Sequence, residues 1–540
     1  MGHGGAQACL RLSAALLAFH LSVAVAAGFQ TPGLGRISFP TSGSPAAQPV
    51  FIRGILLLHS FEYDDAIDAF REAERIDPRF TMAYWGEAMC YNQPLWRNEN
   101  LEKGREALDR LHARATAPIT SRERGYIQAI EILFGPGDKP ARYDGYAKRM
   151  GQLARAYPQD DEAAAFHALA LLATILPAQP NETISLRAGA IASAILRRNP
   201  QHPGAAHYTL HAYGDGRHAA LGLDAARIYA RIAPASSHAR HMPSHVFLPL
   251  GMWDDAARSD ESAFAASVEW VTRHGASLVQ QDFHSLSWLQ YEYLQQGRFA
   301  KAGDLFAPIR QASTVAAAPD AHAHVESEIG RGFGPMALKS ELASMRARFI
   351  VESGRWTDMK EQGTFDNVDE LFALGIASAR LHDGARVQAA LDHLGDAVAA
   401  APDFDTRQLA QIMQLELAGL VKAADGDWRE ALGALRRAAA LEAERPRPNA
   451  RPYPIKPAVE LYAETLLEHG DARGAVPQFQ ASLARTPRRA ASLIGLARAA
   501  NAAGLRAEAV RAAREFLSMW RDADRDRREL TDARGIVTSR

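Results

Sequence analysis

The stretch "FIRGILLLHSFEYDDAIDAFREAERIDPRFTMAYWGEAM", residues 51–89, decides how the rest of the chain is read. Its apolar residues recur at i, i+3 and i+4, the spacing that lines one face of an α-helix. Pro78 cannot continue a helix because it lacks an amide hydrogen, and a second apolar period restarts near Thr81. The segment therefore predicts helix, turn, helix. Its turn carries "EYDDA", ending at Ala66, and similar short turns return as "GMWDDA" at Ala256, "GRFAKA" at Ala302, "GDWREA" at Ala431, "GDARGA" at Ala475 and "GLRAEA" at Ala509.

Such recurrence marks internal repeats. Gly470 to Gly504 and Ala475 to Ala509 are each 34 residues apart. That period, with small residues where helices must approach and Pro78 or Pro487 closing a pair, resembles the tetratricopeptide repeat. Strand signals are nearly absent and helix formers dominate. The expected fold is all-α, a tetratricopeptide-repeat-like solenoid of antiparallel helix pairs. The expected organisation is a signal peptide at 1–27, a Gly/Pro/Ser-rich lead-in or tether at 28–49, and repeats carrying the histidines at 50–310. Degenerate repeats follow at 311–443, C-terminal repeats at 444–520, and a charged tail, read as a solvated, fraying helix, at 521–540.

With 540 residues, 47% of them hydrophobic, the chain can bury a large core. Lys and Arg total 61 against 62 Asp and Glu, so the net charge of -1 supplies no field to attract nucleic acid. Arg11 followed by "LSAALLAFHLSVAVAA" and the small residues Val25, Ala26 and Ala27 reads as an export signal, which predicts a periplasmic or secreted protein without an integral membrane segment after cleavage. Of the two cysteines, Cys9 lies in that signal, so Cys90 would stand alone and no intrachain disulfide is expected.

Seven histidines (202, 207, 211, 218, 238, 241 and 245) fall in 44 residues, where even spacing of the chain's 19 would give roughly 1.5. His207 and His211 are four apart on a helix that Pro203 can open and Gly214 can end, so their rings share a face and can share a borderline metal ion. His241 and His245 have the same spacing with Pro243 between them. This predicts a helix starting near Pro243, with His238 and His241 approaching from a loop. His284 is a further candidate ligand, and His59, His202 and His238 are possible additional ones. Trp85, Tyr208, Trp288 and Tyr291 would wall the pocket. Asp215 is placed to orient an imidazole and Glu87 is a carboxylate on an otherwise apolar helix, so these two are the candidate catalytic carboxylates. Ser244, beside His245, lacks a recognisable oxyanion donor.

The segments "LLHSFEYDDAIDAFREAERIDP", "AYWGEAM", "HPGAAHYTLHAY" and "HMPSHVFLPLGMWDDA" together resemble a family of exported bacterial proteins built on tetratricopeptide-like repeats. The resemblance covers most of residues 51–300. His59, Glu87, His207, His211, His241, His245 and His284 fall on positions matching the family's pattern, which implies a shared metal site. Gln93 stands where relatives often carry His before "PLW", so any ligand role at that position is in doubt here. No named reaction comes with the resemblance.

Three functions are open on these residues. The first is a buried histidine-rich centre holding a divalent transition metal, copper favoured by all-imidazole ligation in an oxidising compartment, and oxidising a small organic substrate. A zinc centre would instead activate water for hydrolysis, with Glu87 or Asp215 as base. The second is a scaffold whose concave face binds a peptide or partner protein. Copper storage ranks lowest, because soft sulfur ligands near the cluster are limited to Met242 and Met252.

Overall fold

The computed structural model describes residues 30–114, 118–176, 179–317, 335–362 and 367–539. The expected signal peptide, Cys9 and the close pair His322 and His324 lie outside these residues. The chain divides into two compact units. One comprises 1–212 with 231–236, and the other 213–230 with 237–540. Both are all-α, built from consecutive helices joined by short turns and packed as antiparallel neighbours. Among the described residues the strands are two-residue ladders, Gln30–Thr31 with Gly35–Arg36 and Asn92–Gln93 with Asn98–Glu99. No described helix is long and apolar enough to cross a membrane.

In the first unit the opening stretch forms helices Gln48–His59, Tyr63–Ile76 and Thr81–Cys90. Tyr63–Ile76 buries Ala66, Ile67, Phe70 and Ala73, the i, i+1, i+4 and i+7 positions of one face. The Phe70 ring fills the space left by two glycines: a Cβ on Gly54 would lie 2.6 Å from it, and one on Gly86 2.3 Å. The second unit repeats the device. A Cβ on Gly495 would lie 2.3 Å from Phe479, and one on Gly375 2.2 Å from Leu417. Glycine is used here to admit a large neighbour, so Gly86→Val should destabilise the protein by about 1–3 kcal/mol through overpacking, more than the few tenths gained from helix propensity. Chemical denaturation would measure it, and an unchanged midpoint would refute this account of the packing.

The recurring turn signature has a local cause. Gly426 and Gly470, at φ 77° and 92°, adopt the left-handed conformation that ends a helix. The aspartates that follow them cap the next helix, Asp427 accepting from the Glu430 amide and Asp471 from the Gly474 amide. The alanines that close the signature, Ala66, Ala256, Ala302, Ala431, Ala475 and Ala509, are all fully buried where helices approach.

At both ends of the described residues the chain is packed rather than solvated. The lead-in is irregular but docked: Leu34, Ile37 and Phe39 are buried, and Phe39 packs edge-on against Phe51 and Trp85. The charged tail forms helix Arg528–Thr538, which buries Leu530, Ala533 and Ile536 while Asp532 pairs with Arg498. Its i, i+3, i+6 apolar spacing was hidden by the surrounding charge. The Pro-rich segment 444–457 lies within the second unit.

Candidate metal centre

The second unit brings together His241, His245 and His284, one ring nitrogen from each lying within 4.8 Å of the others. His241 ends the short helix Ser237–His241, so it comes from a helical turn rather than the expected loop. Pro243 is the N-cap of helix Ser244–Phe247, which puts His245 in its first turn. His284 stands near the start of helix Phe283–Gln295, whose cap Asp282 accepts from the Ser285 amide at 3.0 Å.

Tautomers follow from the partners. The Nδ1 of His241 lies 2.6 Å from Asp260 Oδ1, to which it donates. Its Nε2 therefore keeps a lone pair, and that atom faces His245 Nε2 at 3.0 Å. Burial holds His241 down at about 4, so the ring is neutral and ligand-competent at ordinary pH. The protein packed around His284, together with His241, lowers it as well. Burial pushes Asp260 well up, and Glu292 beside it is raised by burial and by Asp260, so this carboxyl pair retains a proton while Oδ1 still accepts from His241. Burial would raise Asp282, but His241 and His284 outweigh it and hold the group low. Trp288 packs on all three imidazoles, its centroid 5.2, 4.4 and 5.4 Å from those of His241, His245 and His284. His241 is buried, His245 half-buried and His284 exposed, so the group opens toward solvent on the His284 side.

Asp260 is the carboxylate that orients the candidate ligand His241, whereas the sequence pointed to Asp215 for such a role. Asp215 instead accepts from His218 Nδ1 at 2.8 Å and from the Arg217 and His218 amides. Asp260→Ala should weaken metal binding about 10–100-fold by removing the acceptor that fixes the His241 tautomer. Competition with a chelator of known affinity would measure this, and an unchanged affinity would remove Asp260 from the site.

The first unit holds a second imidazole pair. His207 Nδ1 donates to the His59 carbonyl at 2.6 Å, so its Nε2 lone pair faces His211 Nε2 at 3.0 Å. Phe61, held at φ 58° in the turn after His59, packs against both rings at 4.3 and 5.9 Å.

His59 and His202 also lie close to Glu162, near enough together to hold an ion. Their hydrogen bonds oppose that use. The Ala205 amide donates to His202 Nδ1, so its Nε2 carries the ring proton and points at Glu162 Oε1, 3.3 Å away. His59 Nε2 lies 2.6 Å from Glu162 Oε2, and its Nδ1 lies 2.8 Å from the Tyr208 hydroxyl. Burial would raise Glu162, but His59 and His202 outweigh it and hold the carboxyl at about 2. Burial lowers His59 against the pull of Glu162. The cluster is a buried carboxylate that accepts from His59 and has His202 Nε2 3.3 Å from its other oxygen.

Glu87, Trp85 and Tyr291 have different employment. Glu87 is fully buried and faces Arg71 and Arg110, with the Tyr91 hydroxyl donating to it at 3.2 Å. Trp85 packs among Phe39, Tyr126 and Phe166 in the core of the first unit. Tyr291 accepts from Arg489 and stacks edge-on with Trp253. His238 lies 6.4 Å, centroid to centroid, from His241. Gln93 is buried in a two-residue strand.

No family profile matches the chain, and no curated protein matches it. Among solved structures it is similar to a human IFIT1 dimer with m7Gppp-AAAA, at 12% identity over 90% of this chain and 92% of that one, with a TM-score of 0.31. A human IFIT1 dimer with PPP-AAAA gives 12% identity, 88% and 91% coverage and a TM-score of 0.34. The APC/C hetero-tetramer Cut9–Hcn1 gives 11%, 97% and 82%, and 0.29. Similarities this low carry no functional argument, and the repeat architecture rests on the helix pairs and turns described above.

Proposed function

We propose that this helical-repeat protein is a copper-dependent oxidoreductase acting on a small organic substrate. Its principal centre would be His241, His245 and His284, with His207 and His211 as a further copper-binding pair in the first unit. The observation that carries the reading is the pairing of Nε2 atoms at 3.0 Å in each unit, behind Nδ1 atoms already donating to Asp260 or to the His59 carbonyl. With metal–nitrogen distances of roughly 2.0–2.1 Å, that separation subtends about 95° at an ion. This angle is nearer to tetragonal copper(II) than to tetrahedral zinc, and copper also binds imidazole more tightly. The Asp282 and Glu341 carboxyls, both held low, bear on His284, with the guanidinium groups of Arg451 and Arg348 beside them. When bound, copper would supply one-electron chemistry. The protein would hold His241 and His284 neutral, wall one side with Trp288, and leave the His284 side open. Export would place the chain where copper and oxygen meet.

The test is metal content and electron paramagnetic resonance after copper loading. Nitrogen hyperfine structure in the parent is expected, with loss of one copper in His241→Ala. A folded parent that takes up no copper rejects the proposal.

A second reading, a peptide-binding scaffold without catalysis, is favoured by a cavity of about 550 Å³ in the second unit, where Trp356, Phe479 and Trp520 lie among Arg380, Arg489 and Glu464. Binding of a peptide library by protein lacking copper, unaffected by His241→Ala, would favour it.

A further inference from the structure

The buried carboxylate of the first unit sets the direction of a hydrogen-bond chain. Ionised Glu162 can only accept, so His59 Nε2 at 2.6 Å must donate. Neutral His59 then has its lone pair on Nδ1, and the Tyr208 hydroxyl at 2.8 Å must donate to it. The three side chains are fully buried. Gly204 makes room for the His59 ring, since a Cβ there would lie 2.4 Å from Nδ1, and Phe166 stacks on its face at 5.0 Å. The phenol ring of Tyr208 lies 5.5 Å, centroid to centroid, from the His207 ring.

Consider removal of one electron from this phenol. The O–H bond breaks, and its proton forms an N–H bond at His59 Nδ1. The resulting imidazolium has both N–H groups satisfied, one by the phenoxyl oxygen and one by Glu162, whose negative charge neutralises it. Tyr84, whose hydroxyl donates to the Pro78 carbonyl, and Tyr143, which donates to Asn92, have no such acceptor in place. Burial also keeps water and other phenols from the radical.

We infer that Tyr208 is a redox-active residue, with His59 as its proton acceptor and Glu162 holding His59 in the accepting tautomer. The oxidant would be a copper(II) ion at His207 and His211, reduced to copper(I) as the phenol loses its electron. That part rests on the proposed function, whereas the proton relay does not.

The experiment separates the two. Metal-free full-length protein would be oxidised with hexachloroiridate(IV), copper-loaded protein would be allowed to react alone, and both would be frozen for electron paramagnetic resonance. A tyrosyl signal is expected in the parent with both oxidants and absent from Tyr208→Phe. Its yield should fall at least tenfold in Glu162→Gln, and its formation should be slower in D2O. A signal with iridate but none with copper supports the relay and counts against the copper reading of His207 and His211. No signal in the parent, equal yield in Tyr208→Phe, or formation insensitive to D2O overturns the inference. The isotope measurement uses the parent chain, so it decides even if a variant fails to fold.

Discussion

Replacing His241 with alanine is expected to abolish copper binding at the second-unit centre while leaving the chain folded. The loss should exceed the roughly 10–100-fold expected for an outer residue such as Asp260, because His241 would supply the bond itself and also closes the hydrogen-bond link to Asp260. It also presents the Nε2 that faces His245, so the remaining two rings would lose their shared focus. His284→Ala should weaken binding less, since that ring is exposed and an added imidazole can reach the vacancy. Isothermal titration with copper, run beside circular dichroism, would read both. Equal affinity in parent and His241→Ala would sink the centre. Rescue of His284→Ala, but not His241→Ala, by free imidazole would support the open side. Acid should release the metal late: His241 is held at about 4, so protons compete at that ring only well below the ordinary imidazole range.

The repeats were legible because their signals are local. A left-handed Gly, a capping Asp and a buried Ala fall within a few residues of one another, and the two i,i+4 histidine pairs became Nε2 contacts because one helical turn or a short helix-to-helix step brings them together. What escaped was long-range. Asp260 is 19 residues from His241, and Glu162 is 103 from His59, so no spacing rule could pair them. Glu162 did carry a signal, an acid at the start of the apolar run "AAAFHALALLA", but Glu87 carried the same signal and serves an ion-pair cluster instead. Burial of a carboxylate could be guessed from such patterns, while its partner could not. Phe61 looked like one more apolar residue of the first repeat, and its contact with His207 depends on a left-handed turn that a non-glycine sequence does not advertise.

Glu162→Ala is expected to destabilise the first unit by about 3–5 kcal/mol, the cost of breaking a buried charged cluster by removing one partner. His59 and His202 would be left facing an apolar void, and the His59 carbonyl that aims His207 would lose its support. The parent should reveal the same cluster through pH. Glu162 is held at about 2 in the fold against 4.5 unperturbed, so its contribution is full above 4.5 and is lost as pH falls toward 2. The size is about 3 kcal/mol from that difference. His59 is lowered as well, so the unfolded chain takes up its proton first and acid weakens the fold in the same direction. Both groups therefore make stability fall on acidification, His59 below about 6.5 and Glu162 below 4.5. Denaturant midpoints measured from pH 7 to 3 should decline steeply in the parent and less steeply in Glu162→Gln, which cannot titrate. Parallel slopes would mean that the carboxylate is not ionised against these imidazoles, and the donor directions assigned to His59 and Tyr208 would fall with it.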